Sequence, residues 1–230
     1  MLHPLIGITM RGVIWYQGED NTNRPHSYAD MFTTLINGWR AAWQQGDFPF
    51  YYCQIAPYDY ALINAPGQEP VQSALIREAQ SQVEHRVPHT GMAVLLDAGM
   101  EKGIHPAKKR LAGERLGLLA LTKTYGIEGV NGESPYYKSM EIQGDTVIVS
   151  FGRADMWISG KECFESKLFS VAGEDRIFHP AKAWIVRSKM YVRSEKVPHP
   201  VAVRYAFDNY VEGDLFCGGL PLSSFRSDNW

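Results

Sequence analysis

The sequence predicts an α/β chain: part of a parallel sheet with helices on both faces, followed by a smaller all-β part. Three observations carry this. The apolar runs GVIWYQ, FPFYYCQI and GMAVLLD read continuously rather than alternating, as strands buried on both faces do. Stretches with apolar residues at helical spacing lie between and after them. From about Asn131 the pattern changes to short alternating segments folded around turn residues. The α/β part is assigned to residues 1–130 and a β-rich accessory part to residues 131–230. No internal repeat or low-complexity tract marks the boundary, which rests on the change of period.

Taken in order, Gly12 to Gln17 forms the first strand and ends in the polar cluster GEDNTN. From Tyr28, the residues Met31, Phe32, Leu35, Ile36, Trp39 and Trp43 share one helical face, with Ser27 and Asp30 spaced as a capping box and Gly46 as the stop. Phe48 to Ile55 is the second strand, and Val71 to His85 a helix with Val71, Leu75, Ala79 and Val83 inward. Gly91 to Asp97 is the third strand. Pro106 sits where a first helical residue would be, and Ala112, Leu116, Leu119 and Ala120 mark a face that ends before Gly126. In the β-rich part, MEIQGDTVIVSF and KAWIVRSKMYV read as hairpins around Gly-Asp and Arg-Ser-Lys.

Composition narrows the function classes. The chain has 230 residues, 45% apolar and 12% aromatic, enough to bury an ordinary core. A net charge of -2 with scattered basic residues offers no footprint for a nucleic-acid backbone or an anionic membrane. Cys53, Cys163 and Cys217 form no CxxC pair and cannot all be disulfide-bonded within the chain. His3, His26, His85, His89, His179 and His199 show no ligand spacing, so no metal is assigned. The stretch MLHPLIGITMRG lacks the basic and long apolar regions of a signal peptide.

Ligands of parallel sheets gather at the strands' carboxyl ends. There the cluster Gln17-Gly18-Glu19-Asp20-Asn21 leaves the first strand, where amide donors and a carboxylate would converge on an acyl group. On local composition alone a solvated turn is the better reading. His105 follows the third strand and precedes Pro106, which sets it at the start of the next helix. The positive dipole end there favours a neutral imidazole fit for general-base work, and helix capping is the equal alternative.

Together these stretches resemble the sialate O-acetylesterases, a family of SGNH-type carbohydrate esterases. The resemblance runs through GVIWYQGEDN, INGWRAAW, FPFYYCQIAP, LIREAQ, GMAVLLDAG, GIHPAKKRLAGERLGLLAL and VAVRYAFDNYVEGDLFCGGLPLSSFRSD, in family order and over nearly the whole chain. It implies a flavodoxin-like domain that hydrolyses O-acetyl esters on sialic acid or an acetylated polysaccharide, with no metal or organic cofactor. Export is common in the family. His105 in GIHP matches the family's catalytic histidine, and Gln17, Gly18 and Glu19 match its active-site loop. Asn21 is carried over as an oxyanion donor. Where many SGNH enzymes place an Asp three residues before the histidine, this chain has Lys102, which leaves Glu19, Asp97 and Glu101 as carboxylates that would orient His105. Arg77, Gln80, Arg226 and Asp228 also match family patterns, and solvated surface is their default reading.

The family's nucleophilic serine lies in a GQSN-type motif upstream of the WYQGE loop, and no such motif occurs here. Ser27, Ser73, Ser81, Ser139 and Ser227 lack a glycine-framed elbow. The chain alone is therefore expected to be inactive or nearly so, and to depend on an upstream segment. The edge of strand 12–17 is expected to be bare and to pair with an N-terminal segment or a second copy. Two other readings compete. One is a non-catalytic carbohydrate-binding or structural remnant whose aromatics Trp15, Tyr58, Tyr60 and Trp157 stack on sugar rings, although Trp15 suits the core. The other is a glycoside hydrolase pairing Glu19 with Asp97 on adjacent strands.

Overall fold

The computed structural model describes residues 2–63, 71–154, 158–160 and 165–230; Trp157 and Cys163 lie outside the described residues. Strands β1 (Val13–Trp15), β2 (Phe50–Cys53) and β3 (Thr90–Ala93) form a parallel sheet in the order β1-β2-β3. Alternation along β2 divides the core. Phe50 and Tyr52 pack with helices α1 (Pro25–Trp43) and α2 (Ser73–Arg86), whereas Tyr51 and Cys53 pack with α3 (Lys109–Leu119). A central strand with helices on both faces has no polar side, which is why its sequence is an unbroken apolar run. Strand β1 is an edge strand of this sheet, with Ile14 70% exposed.

The first helix buries Tyr28, Phe32, Ile36 and Trp43, while Met31 from the expected face is exposed. Trp15 stacks among Phe32, Trp39 and Phe50 at centroid distances of 6.2, 5.8 and 6.1 Å, so its role is core packing. The capping box does not form, because Pro25, with its fixed φ, opens the helix ahead of Ser27. Ser27 Oγ instead donates to the Arg24 carbonyl at 3.2 Å, and Asp30 pairs with Arg86. At the other end Gln44 takes the left-handed conformation, before Gly46.

Two further expectations are corrected. Helix α2 turns Ser73, Ala74, Ile76, Arg77, Ala79, Gln80 and Val83 inward, while Val71 and Leu75 are only half-buried; Arg77 and Gln80 are wholly buried rather than solvated. Helix α3 begins at Lys109, because Pro106 is buried as part of the preceding loop and spaces His105 away from the helix instead of starting it. After α3 one π-helical turn, Ala120–Thr124, leads to Gly126 in positive φ.

The remaining strands are β4 (Tyr136–Gln143), β5 (Thr146–Gly152), β6 (Ile158–Gly160), β7 (Glu165–Ser166), β8 (Phe169–Ala172), β9 (His179–Pro180), β10 (Lys182–Val186), β11 (Lys189–Arg193), β12 (Ala202–Tyr205), β13 (Leu215–Cys217), β14 (Leu220–Pro221) and β15 (Phe225–Arg226). They form antiparallel sheets ordered β4-β5-β11-β10-β7, β15-β12-β8-β9 and β14-β13-β6. The α/β class with a β-rich continuation is thus borne out. Both expected hairpins are present. The second turns on Arg187 and Ser188, at φ 49° and 63°, the two-residue geometry whose twist matches the flanking strands. One apolar cluster runs from Phe32 and Phe50 through Val147 and Phe169 to Val203 and Phe225. Polar bonds reinforce it, including Gln54 Nε2 to Ser223 Oγ at 2.8 Å and the Gly213 amide to the Leu96 carbonyl at 3.0 Å.

Neither Arg187 nor Ser188 suits positive φ. Replacing the pair with Asn-Gly should raise unfolding stability by about 0.5–1 kcal/mol, read from the urea midpoint at unchanged m-value.

Candidate active site

The loop after β1 is shaped by its neighbours more than by its own sequence. Gln80 of α2 reaches across the carboxyl ends of β1 and β2: its Nε2 donates to the Gln17 carbonyl at 3.1 Å and its Oε1 accepts from the Ile55 amide at 2.9 Å. Gly18 sits against this clasp at φ 154°. A Cβ there would stand 2.7 Å from Ile55 Cγ2 and 2.8 Å from Gln80 Nε2, so only glycine allows the approach. The chain then winds through a short 3-10 turn, Glu19–Asn21, fixed by Thr22 Oγ1 donating to the Glu19 carbonyl at 2.9 Å.

The side-chain amides are ordered in series. Tyr28 OH bonds the Gln17 carbonyl at 3.1 Å and its Oε1 at 3.3 Å, and Gln17 Nε2 donates to Asn21 Oδ1 at 2.6 Å. With Oε1 taken by a donor, Gln17 presents its NH2 to Asn21, and Asn21 presents its own NH2 away from Gln17. Glu19 is half-buried. Burial holds its carboxyl above the usual value, while its own backbone N–H and the cations of Lys109 and His105 pull it back. Lys109 Nζ lies 4.9 Å from the Tyr16 ring centroid, so the start of α3 closes over the same loop. Burial also pushes the Cys53 thiol up to about 12, so it remains protonated at neutral pH.

His105 is exposed on the loop before α3 and lies within electrostatic reach of Glu19. Asp97 is engaged elsewhere: Arg115 holds both its oxygens, at 2.6 and 2.7 Å, in a pair with side chains 6% and 13% exposed. Glu101 is exposed on a turn and meets the 59 loop through its carbonyl, which accepts from the Asp59 amide at 3.2 Å. The glycosidase pairing fails on topology, since β2 lies between β1 and β3 and Glu19 and Asp97 do not follow adjacent strands. Ser27 and Ser227 are bonded to the backbone and Ser73 to Arg77; among the described residues no serine hydrogen-bonds His105.

Tyr58 and Tyr60, expected in a ligand-facing loop, are 6% and 1% exposed and pack edge-to-face at 5.0 Å. The residues that composition could not reveal are Gln80 and Arg77. Arg77 is fully buried, donating to the hydroxyls of Ser224 at 3.0 Å and Ser73 at 3.2 Å and to the carbonyls of Ala206 and Asp208. Arg226 and Asp228, also expected on the surface, are bound: Arg226 to Glu78 at 2.8 and 2.9 Å, and Asp228 to Arg204 at 2.8 and 2.7 Å. A long polar residue inside an otherwise amphipathic helix is the signal that would have marked α2.

Residues 3–107 match the family described as carbohydrate esterase, sialic acid-specific acetylesterase. The sialate O-acetylesterase of Rattus norvegicus is 33% identical over 156 residues, covering 62% of this chain and 28% of that protein; the Homo sapiens protein is 29% identical over 154 residues, covering 62% and 29%. Among solved structures, the crystal structure of a novel carbohydrate acetylesterase from Xanthomonas citri superposes with a TM-score of 0.90 at 36% identity, over 100% of this chain and 53% of that one. The chain thus spans under a third of the curated relatives and about half of the structural one. The resemblance read from the motifs is borne out.

Two outcomes test this geometry. Gln80→Leu strands the Ile55 amide and the Gln17 carbonyl and should cost about 2–4 kcal/mol in denaturant unfolding. Glu19→Gln should raise Tm at neutral pH. A carboxyl with a raised folded-state value binds its proton more tightly when folded, so its ionisation opposes folding as pH rises; the variant's gain should shrink as pH falls and Glu19 becomes protonated.

Proposed function

We propose that this relative of the sialic acid-specific acetylesterases supplies the base and the oxyanion donor of a carbohydrate O-acetylesterase centre. The substrate is an O-acetylated sugar, either sialic acid or an acetylated polysaccharide. The nucleophile is a serine brought by a segment outside this chain. His105 Nε2 or Nδ1 removes the serine proton as Oγ attacks the acetyl carbonyl, and the tetrahedral oxyanion receives the free NH2 of Asn21 and backbone amides of the Gly18 loop. Collapse expels the sugar oxygen, which takes the proton from His105. Water then repeats the sequence on the acetyl-serine and releases acetate. Glu19 stabilises the imidazolium through space. One donor of the Asn21 kind contributes a few kcal/mol, on the order of a hundredfold in rate.

The observation that carries this reading is the Tyr28–Gln17–Asn21 chain of hydrogen bonds, which pre-orients a donor at the carboxyl end of a parallel sheet. The exposed edge of β1 supports the partner. Beside it, Arg11, Val13, Ile14, Tyr51 and Tyr125 line a depression of ≈ 160 Å³, and an added strand would pair along this edge.

The test is acetate release from an O-acetylated sialic acid by this chain alone and by the chain joined to a segment carrying the GQSN-type serine. Activity is expected only in the joined form, with His105→Ala lowering kcat about a thousandfold or more. Robust acetate release by the chain alone refutes the missing nucleophile.

A further inference from the structure

The five-stranded sheet carries a second constellation of binding groups, apart from the Gln17–Asn21 loop. On β10 and β11 the side chains of Ala183, Met190 and Val192 are buried, so by alternation Lys182, Trp184, Tyr191 and Arg193 share the opposite face. Trp184 and Tyr191 are direct cross-strand partners and stack, with centroids 6.0 Å apart and planes 25° from parallel, which restrains the indole on the sheet. Against Trp184 lies a depression of ≈ 530 Å³ whose other walls are Glu165, Lys182, Arg193 and Glu195. Small-ligand sites occupy roughly 300–1,000 Å³.

The charges of that rim are not consumed by one another. Lys182 meets Glu165 only at 3.9 Å, with side chains 71% and 63% exposed, a pairing of little worth. Arg193 contacts Asp145 at 2.7 Å and retains further donors of its fork. Lys182 and Arg193 also stand directly opposite one another across the ladder, a like-charge arrangement that costs the sheet stability.

We propose that this face is a sugar-binding site for a neutral pyranose unit of a saccharide chain, with the ring stacked on Trp184. Its hydroxyls donate to Glu165 and Glu195 and accept from Lys182 and Arg193. The two carboxylates balance the two cations lining the depression, and Asp145 on Arg193 adds a further negative charge, so no net positive field draws an anion there. A donor-only group beside an acceptor-only group matches a hydroxyl, which is both. The indole face meets the apolar C–H face of the ring. The site requires no chemistry at His105 and stands independently of the esterase reading.

The experiment titrates the whole chain with cellotetraose, xylotetraose and mannotetraose, and with sialyllactose as the acidic comparison, following amide shifts by NMR and heat by calorimetry. At least one neutral tetrasaccharide should bind saturably. Trp184→Ala should weaken that binding roughly tenfold or more, with Trp184→Phe keeping part of it. Glu195→Ala, on the exposed rim where folding is not at stake, should weaken it as well. The proposal is overturned if no neutral sugar binds at millimolar concentration, if binding is indifferent to both alanine variants, or if sialyllactose is preferred.

Discussion

The carboxyl end of the parallel sheet depends on one side chain, Gln80. Its carboxamide is buried completely, so each of its polar atoms needs a hydrogen-bond partner in place. It matches them to the backbone of two different strand ends, Gln17 after β1 and Ile55 after β2, while the backbone carbonyl of Gln80 accepts from Tyr52 OH at 2.6 Å. The result is a rigid frame: α2 cannot shift along the sheet without breaking bonds to both strands. Position 18 admits no residue larger than glycine, because the clasp occupies the space a side chain would need. The order of the Tyr28–Gln17–Asn21 chain follows from that frame rather than from any preference of the loop residues.

Arg77, one turn earlier on the same helix, performs the equivalent task toward the C-terminal strands. A buried guanidinium that no carboxylate hydrogen-bonds among the described residues is costly, and burial lowers its pKa to about 10, against the opposing charge of Asp208. It is accommodated because neutral oxygens of Ser73, Ser224, Ala206 and Asp208 accept from its fork. Such an arrangement contributes specificity of packing: the segment 206–208 and the strand end at Ser224 have one position relative to α2. Asn209 continues the same seam, its Oδ1 accepting from the Ser73 amide at 2.7 Å and its Nδ2 donating to the Val71 carbonyl at 2.6 Å. The α/β and β-rich stretches are therefore joined by satisfied buried polar groups as well as by a common apolar cluster.

Against this frame His105 stands out as exposed. It rides on a loop whose anchor is the buried Pro106, and the acidic group within its electrostatic reach, Glu19, is half-buried. Asp97, which by position after β3 is equally eligible, is drawn into the interior by Arg115, which holds both its oxygens. Which carboxylate stays unpaired near His105 is thus set by which of them a buried arginine claims. A similar logic separates the aromatics: Trp15, Tyr58 and Tyr60 complete the core, whereas Trp184 and Tyr191 lie on the opposite face of their sheet from the buried Ala183 and Met190.

The sequence by itself determined the architecture and carried the resemblance to the sialate O-acetylesterases. Unbroken apolar runs specify doubly covered strands, and 3.6-residue spacing specifies the helices. Turn chemistry locates the hairpins, and motif order carries the kinship, because all of these are local in the chain. It did not determine the capping of α1, the start of α3 or the fate of the long polar residues. Ser27 and Asp30 have the spacing of a cap, but Pro25 starts the helix first; Pro106 has the position of a helix start, but tertiary burial takes it into the loop. Arg77 and Gln80 look like surface in a helix read alone, since nothing local announces partners 25 to 147 residues away. Only the tertiary structure decided that they are interior, because a buried polar group is tolerated where distant strands happen to bring it a complete set of hydrogen-bond partners.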